Sequence, residues 1–114
     1  MSQAFVPVAK VQDVPSGAVK YVDVNGTPIA LCNIEGHLYA VGNICTHDGG
    51  PLSGGTLEEH TIECPRHGAR FDVRSGKVVC LPAPVPIPTY EVRVEGDVVN
   101  VNPAPRVGVN AGSP

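Results

Sequence analysis

The chain of 114 residues is 42% hydrophobic and only 4% aromatic, contains no Trp and carries a formal net charge of −3. This length fits one domain with a core of its own and leaves little for a second domain. No stretch rich in Lys and Arg is available to neutralise phosphates, which argues against nucleic acid as a partner, so we expect proteins or small molecules instead.

The N-terminal stretch MSQAFVPVAK lacks a basic region followed by a long apolar run. Nowhere does the chain approach the roughly 18 continuous apolar residues of a membrane span. We therefore expect a soluble cytoplasmic protein with no membrane contact. In a reducing cytosol, cysteines indicate metal ligands or buried thiols rather than disulfides. The cysteines are Cys32, Cys45, Cys64 and Cys80.

The first half of the chain predicts a three-stranded meander. Residues 18–24 alternate in part between apolar and polar side chains, and the Asn-Gly pair at 25–26 is a strong hairpin signal. Residues 27–34 return as a second strand. The Glu-Gly pair at 35–36 then turns the chain into a third strand with the sequence HLYAVGN.

Residues 43–74 contain five glycines and two prolines, and within them only the short stretch HTIEC has a strand pattern. This composition indicates loops that are held by something other than a long ladder of hydrogen bonds. Further on, KVVCL predicts a strand and the proline run at 82–88 predicts a stiff extended segment. The stretch TYEVRVEGDVVNVN predicts a closing hairpin, so the fold class is all-β.

Two Cys/His pairs lie in the glycine-rich region. CTH supplies Cys45 and His47, and CPRH supplies Cys64 and His67. Two thiols and two imidazoles satisfy a tetrahedral Zn²⁺ site, although zinc fingers usually take both cysteines from one element. The interleaved order also suits a binuclear centre, in which each loop gives its Cys to one metal and its His to the other. The pairs alone leave both possibilities open.

The pattern Cys-x-His followed by Cys-x-x-His resembles the signature of Rieske proteins, in which two His replace two Cys on one iron of a [2Fe-2S] cluster. The similarity continues through IECPRHGARFD and the SGK turn at 75–77. The stretch LPAP at 81–84 is similar to the proline-rich third cluster loop of that family. The resemblance extends over residues 6–101.

The resemblance implies one Rieske [2Fe-2S] cluster, with Cys45 and Cys64 on one iron and His47 and His67 on the other. It also implies the Rieske fold, an antiparallel β-sandwich base that carries a small cluster-binding subdomain of loops and a short hairpin.

On this basis we expect a single domain over residues 1–103. The base is expected at about 1–42 and 75–103, the cluster-binding subdomain at about 43–74, and a flexible C-terminal tail at 104–114.

Departures from the high-potential members of the family favour a low reduction potential. Gly50 and Arg66 occupy the places where those members have two disulfide-linked cysteines. Ala69 and Phe71 occupy the places of a Ser and a Tyr that donate hydrogen bonds to cluster sulfur. Without these donors the reduced cluster is less stabilised, which predicts a potential at the lower end of the Rieske range, about −150 mV.

The resemblance therefore implies an electron carrier with no catalysis of its own. Its expected partners are an NAD(P)H-dependent flavoprotein reductase and the terminal Rieske non-haem iron oxygenase of an aromatic-ring dioxygenase system, and we expect it to be a monomer. Two alternatives remain. One is the small Rieske subunit of an assimilatory nitrite reductase or another oxidoreductase, and the other is a zinc-stabilised interaction module.

Other polar and sulfur-containing side chains receive structural interpretations. Cys32 and Cys80 are expected to be small buried hydrophobes. His37 and His60 follow turn-like residues and are expected to be exposed. Arg70 is expected either to form salt bridges or to steer a partner.

Overall fold

The computed structural model describes residues 5–44, 51–64, 69–80 and 87–106. These residues form β-strands and one turn of 3-10 helix, Val11–Asp13. The strands are β1 (Val6–Lys10), β2 (Val19–Val24), β3 (Thr27–Ile34), β4 (His37–Gly42), β5 (Thr56–Glu58), β6 (Thr61–Glu63), β7 (Arg70–Asp72), β8 (Val78–Cys80), β9 (Thr89–Glu95) and β10 (Val98–Arg106).

The strands form two antiparallel sheets. The large sheet has six strands in the order β1-β10-β9-β4-β3-β2, and the small sheet has four in the order β5-β6-β7-β8. Within the described residues no helix is both long and apolar enough to cross a membrane. The prediction of an all-β fold is confirmed.

Tight turns join the strands of the predicted meander. Asn25 and Gly26 have φ angles of 54° and 89°, and Glu35 and Gly36 have φ angles of 54° and 92°. Two successive positive φ angles match the right-handed twist of the flanking strands. The Gly26 N–H donates to Asp23 Oδ1 at 2.8 Å, which secures the first turn. The meander is therefore confirmed as β2, β3 and β4.

Strand β3 is buried on both faces because it lies between two cores. Ala30 and Cys32 point into a core shared by the two sheets, called here the intersheet core. Ile29 and Leu31 point into the core on the other side of the large sheet, called here the large-sheet core. Since successive side chains of a strand alternate between faces, the apolar run IALC serves both cores. The small sheet is thereby packed onto the large one.

The structure adds elements that the sequence did not predict. β1 pairs with β10, with Val6 opposite Val101. β5 and β7 flank the predicted strand β6. β10 continues to Arg106, past the position at which we expected the tail to begin, because residue 106 pairs again with Thr89 after a register shift. The division of the domain into a base and a cluster-binding subdomain stays a prediction.

Candidate metal centre

Cys64 is the predicted ligand that falls among the described residues. It directly follows β6, and only 1% of its surface is exposed. Its backbone N–H donates to the Ala69 carbonyl at 2.7 Å, one step beyond the last β6–β7 ladder pair, Glu63 and Arg70. Cys64 therefore extends the β6–β7 pairing by one hydrogen bond, directly before residues 65–68, which lie outside the described part.

The other predicted ligands, Cys45, His47 and His67, lie outside the described residues. The third cluster loop that the LPAP motif predicts also lies outside them. Their positions are therefore constrained here only through the flanking residues that are described. The ligand set stays a prediction.

The flanks of segment 45–50 are joined by a side chain. Asn43 Oδ1 accepts the Leu52 backbone N–H at 2.9 Å. The backbone N–H of Asn43 donates to the Pro28 carbonyl of β3 at 3.1 Å. The sequence analysis did not single out Asn43, although an Asn that opens a loop often bonds to nearby backbone.

The residues after segment 81–86 are fixed by backbone hydrogen bonds to both sheets. The Ile87 N–H donates to the Gly76 carbonyl at 2.9 Å, and the Gly42 N–H donates to the Pro88 carbonyl at 2.9 Å. A Cβ on Gly42 would lie 2.8 Å from Pro88 Cγ, so glycine permits this approach. Gly42 also lies in the strand that leads to segment 45–50.

Residues next to all three segments meet in the intersheet core. Leu52, Cys64, Ala69 and Ile87 belong to this core, and each is at most 1% exposed. The three segments that contain the predicted ligands and the predicted third loop are thus flanked by residues of one apolar core. This arrangement suits a shared centre from which water is excluded.

The surroundings of Cys64 fit a soft metal or an iron–sulfur cluster. Ala69 and Phe71 are fully buried in the same core. A thiolate in an apolar setting is a ligand for zinc or iron–sulfur clusters, whereas Ca²⁺ and Mg²⁺ prefer oxygen ligands. Within the described ranges, no group of three or more His, Cys, Asp or Glu side chains could hold a metal ion. A complete site therefore needs the predicted ligands beyond those ranges.

Cys32 shares the intersheet core with Cys64, but its environment is that of a structural thiol. It is fully buried in the middle of β3, and burial raises the pKa of its thiol to about 12. A thiol that resists ionisation is a poor metal ligand. The prediction of a small buried hydrophobe at this position is confirmed by the burial. The side chain of Cys80 lies outside the described part.

Arg70 forms salt bridges with glutamates of two other strands of the small sheet, β5 and β6. Arg70 Nη1 lies 3.1 Å from Glu58 Oε1, and Arg70 Nη2 lies 3.5 Å from Glu63 Oε1. Of the two roles considered for Arg70, the structure shows the salt bridges. His37 is exposed, as predicted, whereas His60 is half-buried, in edge contact with the Tyr39 ring 6.5 Å away.

Comparison with known proteins gives the family. The Rieske [2Fe-2S] domain profile matches residues 4–91. The ferredoxin component of naphthalene 1,2-dioxygenase/salicylate 5-hydroxylase systems from Ralstonia sp. is 46% identical over 95 residues, which cover 83% of this chain and 91% of that protein.

Solved structures agree with this match. The ferredoxin of carbazole 1,9a-dioxygenase from Nocardioides aromaticivorans IC177 is similar with a TM-score of 0.84 at 33% identity, covering 88% of this chain and 98% of that one. A structure described as the complex of reduced oxygenase and oxidized ferredoxin in carbazole 1,9a-dioxygenase gives a TM-score of 0.86 at 33% identity, covering 93% and 99%. The chain belongs to the Rieske [2Fe-2S] domain family.

Proposed function

We propose that this protein is a soluble, low-potential Rieske ferredoxin of an aromatic-ring dioxygenase system. In this role it carries single electrons from an NAD(P)H-dependent flavoprotein reductase to a terminal Rieske non-haem iron oxygenase, and it works as a monomer in the cytoplasm. The observation that carries the proposal is the 46% identity to a dioxygenase-system ferredoxin, with 91% of that protein's length covered. The match therefore extends over nearly the whole of a protein that is named a ferredoxin component.

One [2Fe-2S] cluster is proposed, with Cys45 and Cys64 on one iron and His47 and His67 on the other. When bound, the cluster supplies reversible one-electron chemistry. The chain contributes the apolar enclosure, because Leu52, Ala69 and Ile87 are fully or almost fully buried in the core that also holds Cys64. A dry, apolar surrounding disfavours added negative charge, which agrees with a low potential.

The oxygenase partner is proposed from structural similarity. The structure that this chain matches with a TM-score of 0.86 is described as a complex of oxygenase and ferredoxin. The reductase partner follows from the low potential, because a flavoprotein is a suitable donor to such a carrier. The purified protein is expected to elute as a monomer in size-exclusion chromatography.

The function is tested by reconstitution. The purified protein should contain two iron atoms and two acid-labile sulfides per chain, show a Rieske EPR signal, and restore oxygenase turnover when mixed with a flavoprotein reductase and a terminal oxygenase. A colourless protein that contains zinc but no sulfide would establish an interaction module instead. A large subunit that co-purifies and reduces nitrite would establish the oxidoreductase alternative.

The ligand assignment is tested with matched histidine and cysteine pairs. His67→Ala and Cys64→Ala should abolish the Rieske EPR signal, because each removes a proposed iron ligand. His60→Ala and Cys32→Ala remove the same side chains from positions to which no ligand role is given, and both variants should keep the signal. An intact Rieske spectrum in His67→Ala would refute the assignment.

A further inference from the structure

Asn43 joins two parts of the chain that no strand pairing connects. Its side-chain oxygen accepts the Leu52 N–H at 2.9 Å, and Asn43 is only 6% exposed while Leu52 is fully buried. Because a buried N–H without an acceptor keeps its full desolvation penalty, loss of this bond should destabilise the junction. The bond spans the segment 44–51, which contains two of the proposed ligands.

The position of Asn43 is itself set by the large sheet. Its backbone N–H donates to the Pro28 carbonyl at 3.1 Å, and the preceding residue, Gly42, donates to the Pro88 carbonyl at 2.9 Å. Leu52, on the other side of the bond, packs in the intersheet core that holds Cys64. Asn43 therefore links the large sheet, through Pro28, to Leu52, which shares the intersheet core with Cys64.

The two ligand-bearing segments differ in how their flanks are held. Residues 65–68 are flanked by Cys64 and Ala69, whose backbone hydrogen bond extends the β6–β7 ladder. Segment 44–51 is flanked by Asn43, which follows β4 of the large sheet, and by Leu52, which precedes β5 of the small sheet, and these strands do not pair. The flanks of segment 44–51 are joined by the side chain of Asn43, whereas the flanks of residues 65–68 are joined by backbone pairing.

We propose that Asn43 is a positioning residue for the cluster ligands. By fixing the distance between the flanks of segment 44–51, it sets where Cys45 and His47 stand relative to Cys64. The proposal rests on the ligand assignment under the proposed function. Asn43 acts as a hydrogen-bond acceptor toward Leu52, so any side chain of the same shape that keeps the oxygen should preserve the effect.

The matched control is Asn33, a second buried asparagine, in β3. It is 5% exposed, its Nδ2 donates to the Val14 carbonyl at 2.6 Å, and its Oδ1 accepts the Gly36 N–H at 2.8 Å. Asn33→Ala should also lower thermal stability, because it breaks one buried and one partly buried hydrogen bond. Its bonds hold the large sheet rather than segment 44–51.

The experiment measures the Rieske EPR spectrum and the rate of cluster release in the holoproteins. Asn43→Ala should release its cluster about tenfold faster than the wild type and show an altered EPR line shape. Asn33→Ala should lower the melting temperature and leave the EPR line shape unchanged. The same spectral change in both variants, or none in Asn43→Ala, would overturn the proposal.

A second variant decides the matter even if Asn43→Ala does not yield folded holoprotein. Asn43→Asp keeps an oxygen for the Leu52 N–H and should retain the wild-type EPR line shape, whereas loss of that line shape would refute the role given to the acceptor. The proposed function and the role of Asn43 can be refuted independently of each other. A wild-type protein that binds a Rieske cluster but does not support an oxygenase would contradict the function and leave this test intact.

Discussion

At the scale of single residues, two side chains that share the intersheet core with Cys64 are apolar at positions where a hydrogen-bond donor would change the redox chemistry. Ala69 and Phe71 are fully buried in the same core as Cys64. Neither side chain can donate a hydrogen bond to sulfur. Because such bonds stabilise the more negative, reduced cluster, their absence favours a low potential.

Introducing donors at these two positions should therefore raise the midpoint potential. Ala69→Ser and Phe71→Tyr each add one hydroxyl with little change in volume, and protein-film voltammetry measures the result. Ala30→Ser serves as the control, since Ala30 is fully buried in the same core but on β3, in the large sheet. An unchanged or lower potential in both donor variants would contradict the explanation.

Asp72 shows how one carboxylate organises the turn after β7. Its two oxygens accept Arg74 Nε at 3.1 Å and Arg74 Nη2 at 2.8 Å, and Oδ1 also accepts the Arg74 backbone N–H at 2.8 Å. Hydrogen bonds from the Arg74 side chain are the main cause that lowers the pKa of Asp72 below its ordinary value of 3.8, and the backbone bond adds to this. The ionised carboxylate therefore adds to the stability that backbone hydrogen bonds from Ser75 and Gly76 to the Asp72 carbonyl give this turn.

The lowered pKa of Asp72 determines how its contribution to stability changes with pH. The folded carboxyl binds its proton less readily than the unfolded one, so its contribution is complete above pH 3.8 and is lost as the pH falls through the lower folded pKa. Asp72→Asn should melt about 3 °C below the wild type at pH 7, and this difference should shrink below pH 3.8. Melting curves followed by visible absorbance measure both values. A difference that grows toward acid pH would show that another group is responsible.

At the scale of the elements, glycines permit contacts between the small sheet and the segments that flank the site. Gly76 has a φ of +82°, and a Cβ there would collide with the Ile87 carbonyl. The Gly76 carbonyl accepts the Ile87 N–H at 2.9 Å. Ile87, which directly follows segment 81–86, is therefore in backbone contact with the turn before β8.

Gly76→Ala should therefore displace Ile87 and loosen the metal centre. Gly26→Ala is the matched control, because Gly26 has a similar φ of +89° but no heavy atom within 4 Å of the added Cβ. The control should cost about 1 kcal/mol from backbone strain alone and keep the cluster. Gly76→Ala should cost more and release iron faster, as followed by a chelator assay. Equal losses in the two variants would rule out the contact as the cause.

Elements whose signals are local were predictable from sequence, and those that depend on distant partners were not. The pairs at 25–26 and 35–36 determine their own turns, so β2, β3 and β4 followed from the sequence. β1 contains Pro7 and is specified by its pairing with β10, at the far end of the chain. β5 and β7 have three residues each and are specified by their pairing with β6 rather than by a pattern of their own.

The candidate site divides in the same way. Ligand spacing in the sequence singles out Cys64, whose role as a ligand stays a prediction, but the hairpin that holds it needs β7, which the sequence did not predict. The bond from Asn43 to Leu52 could not be predicted either, since the hydrogen-bond partner of an asparagine is set by the fold. The same holds for His60, whose contact with Tyr39 on β4 brings together residues of different sheets.

At the scale of the whole molecule, the two sheets differ in strand length and in the hydrophobic cores that stabilise them. The large sheet has strands of five to nine residues and a core that it shares with no strand of the small sheet. Each strand of the small sheet has three residues, and the buried side chains of this sheet lie in the intersheet core. Three-residue strands offer few ladder hydrogen bonds. We therefore expect the small sheet to depend on the intersheet core and on the proposed metal centre.

Removing the iron should therefore loosen the small sheet and spare the large one. Hydrogen exchange measured by mass spectrometry on the holoprotein and on the chelator-treated protein should show lost protection in peptides from 51–64 and 69–80. Peptides from 19–42 and 89–102 should keep their protection, because the large-sheet core does not include Cys64. Equal loss throughout would mean that the two sheets unfold as one unit, and no loss would mean that the small sheet is stable without the metal centre.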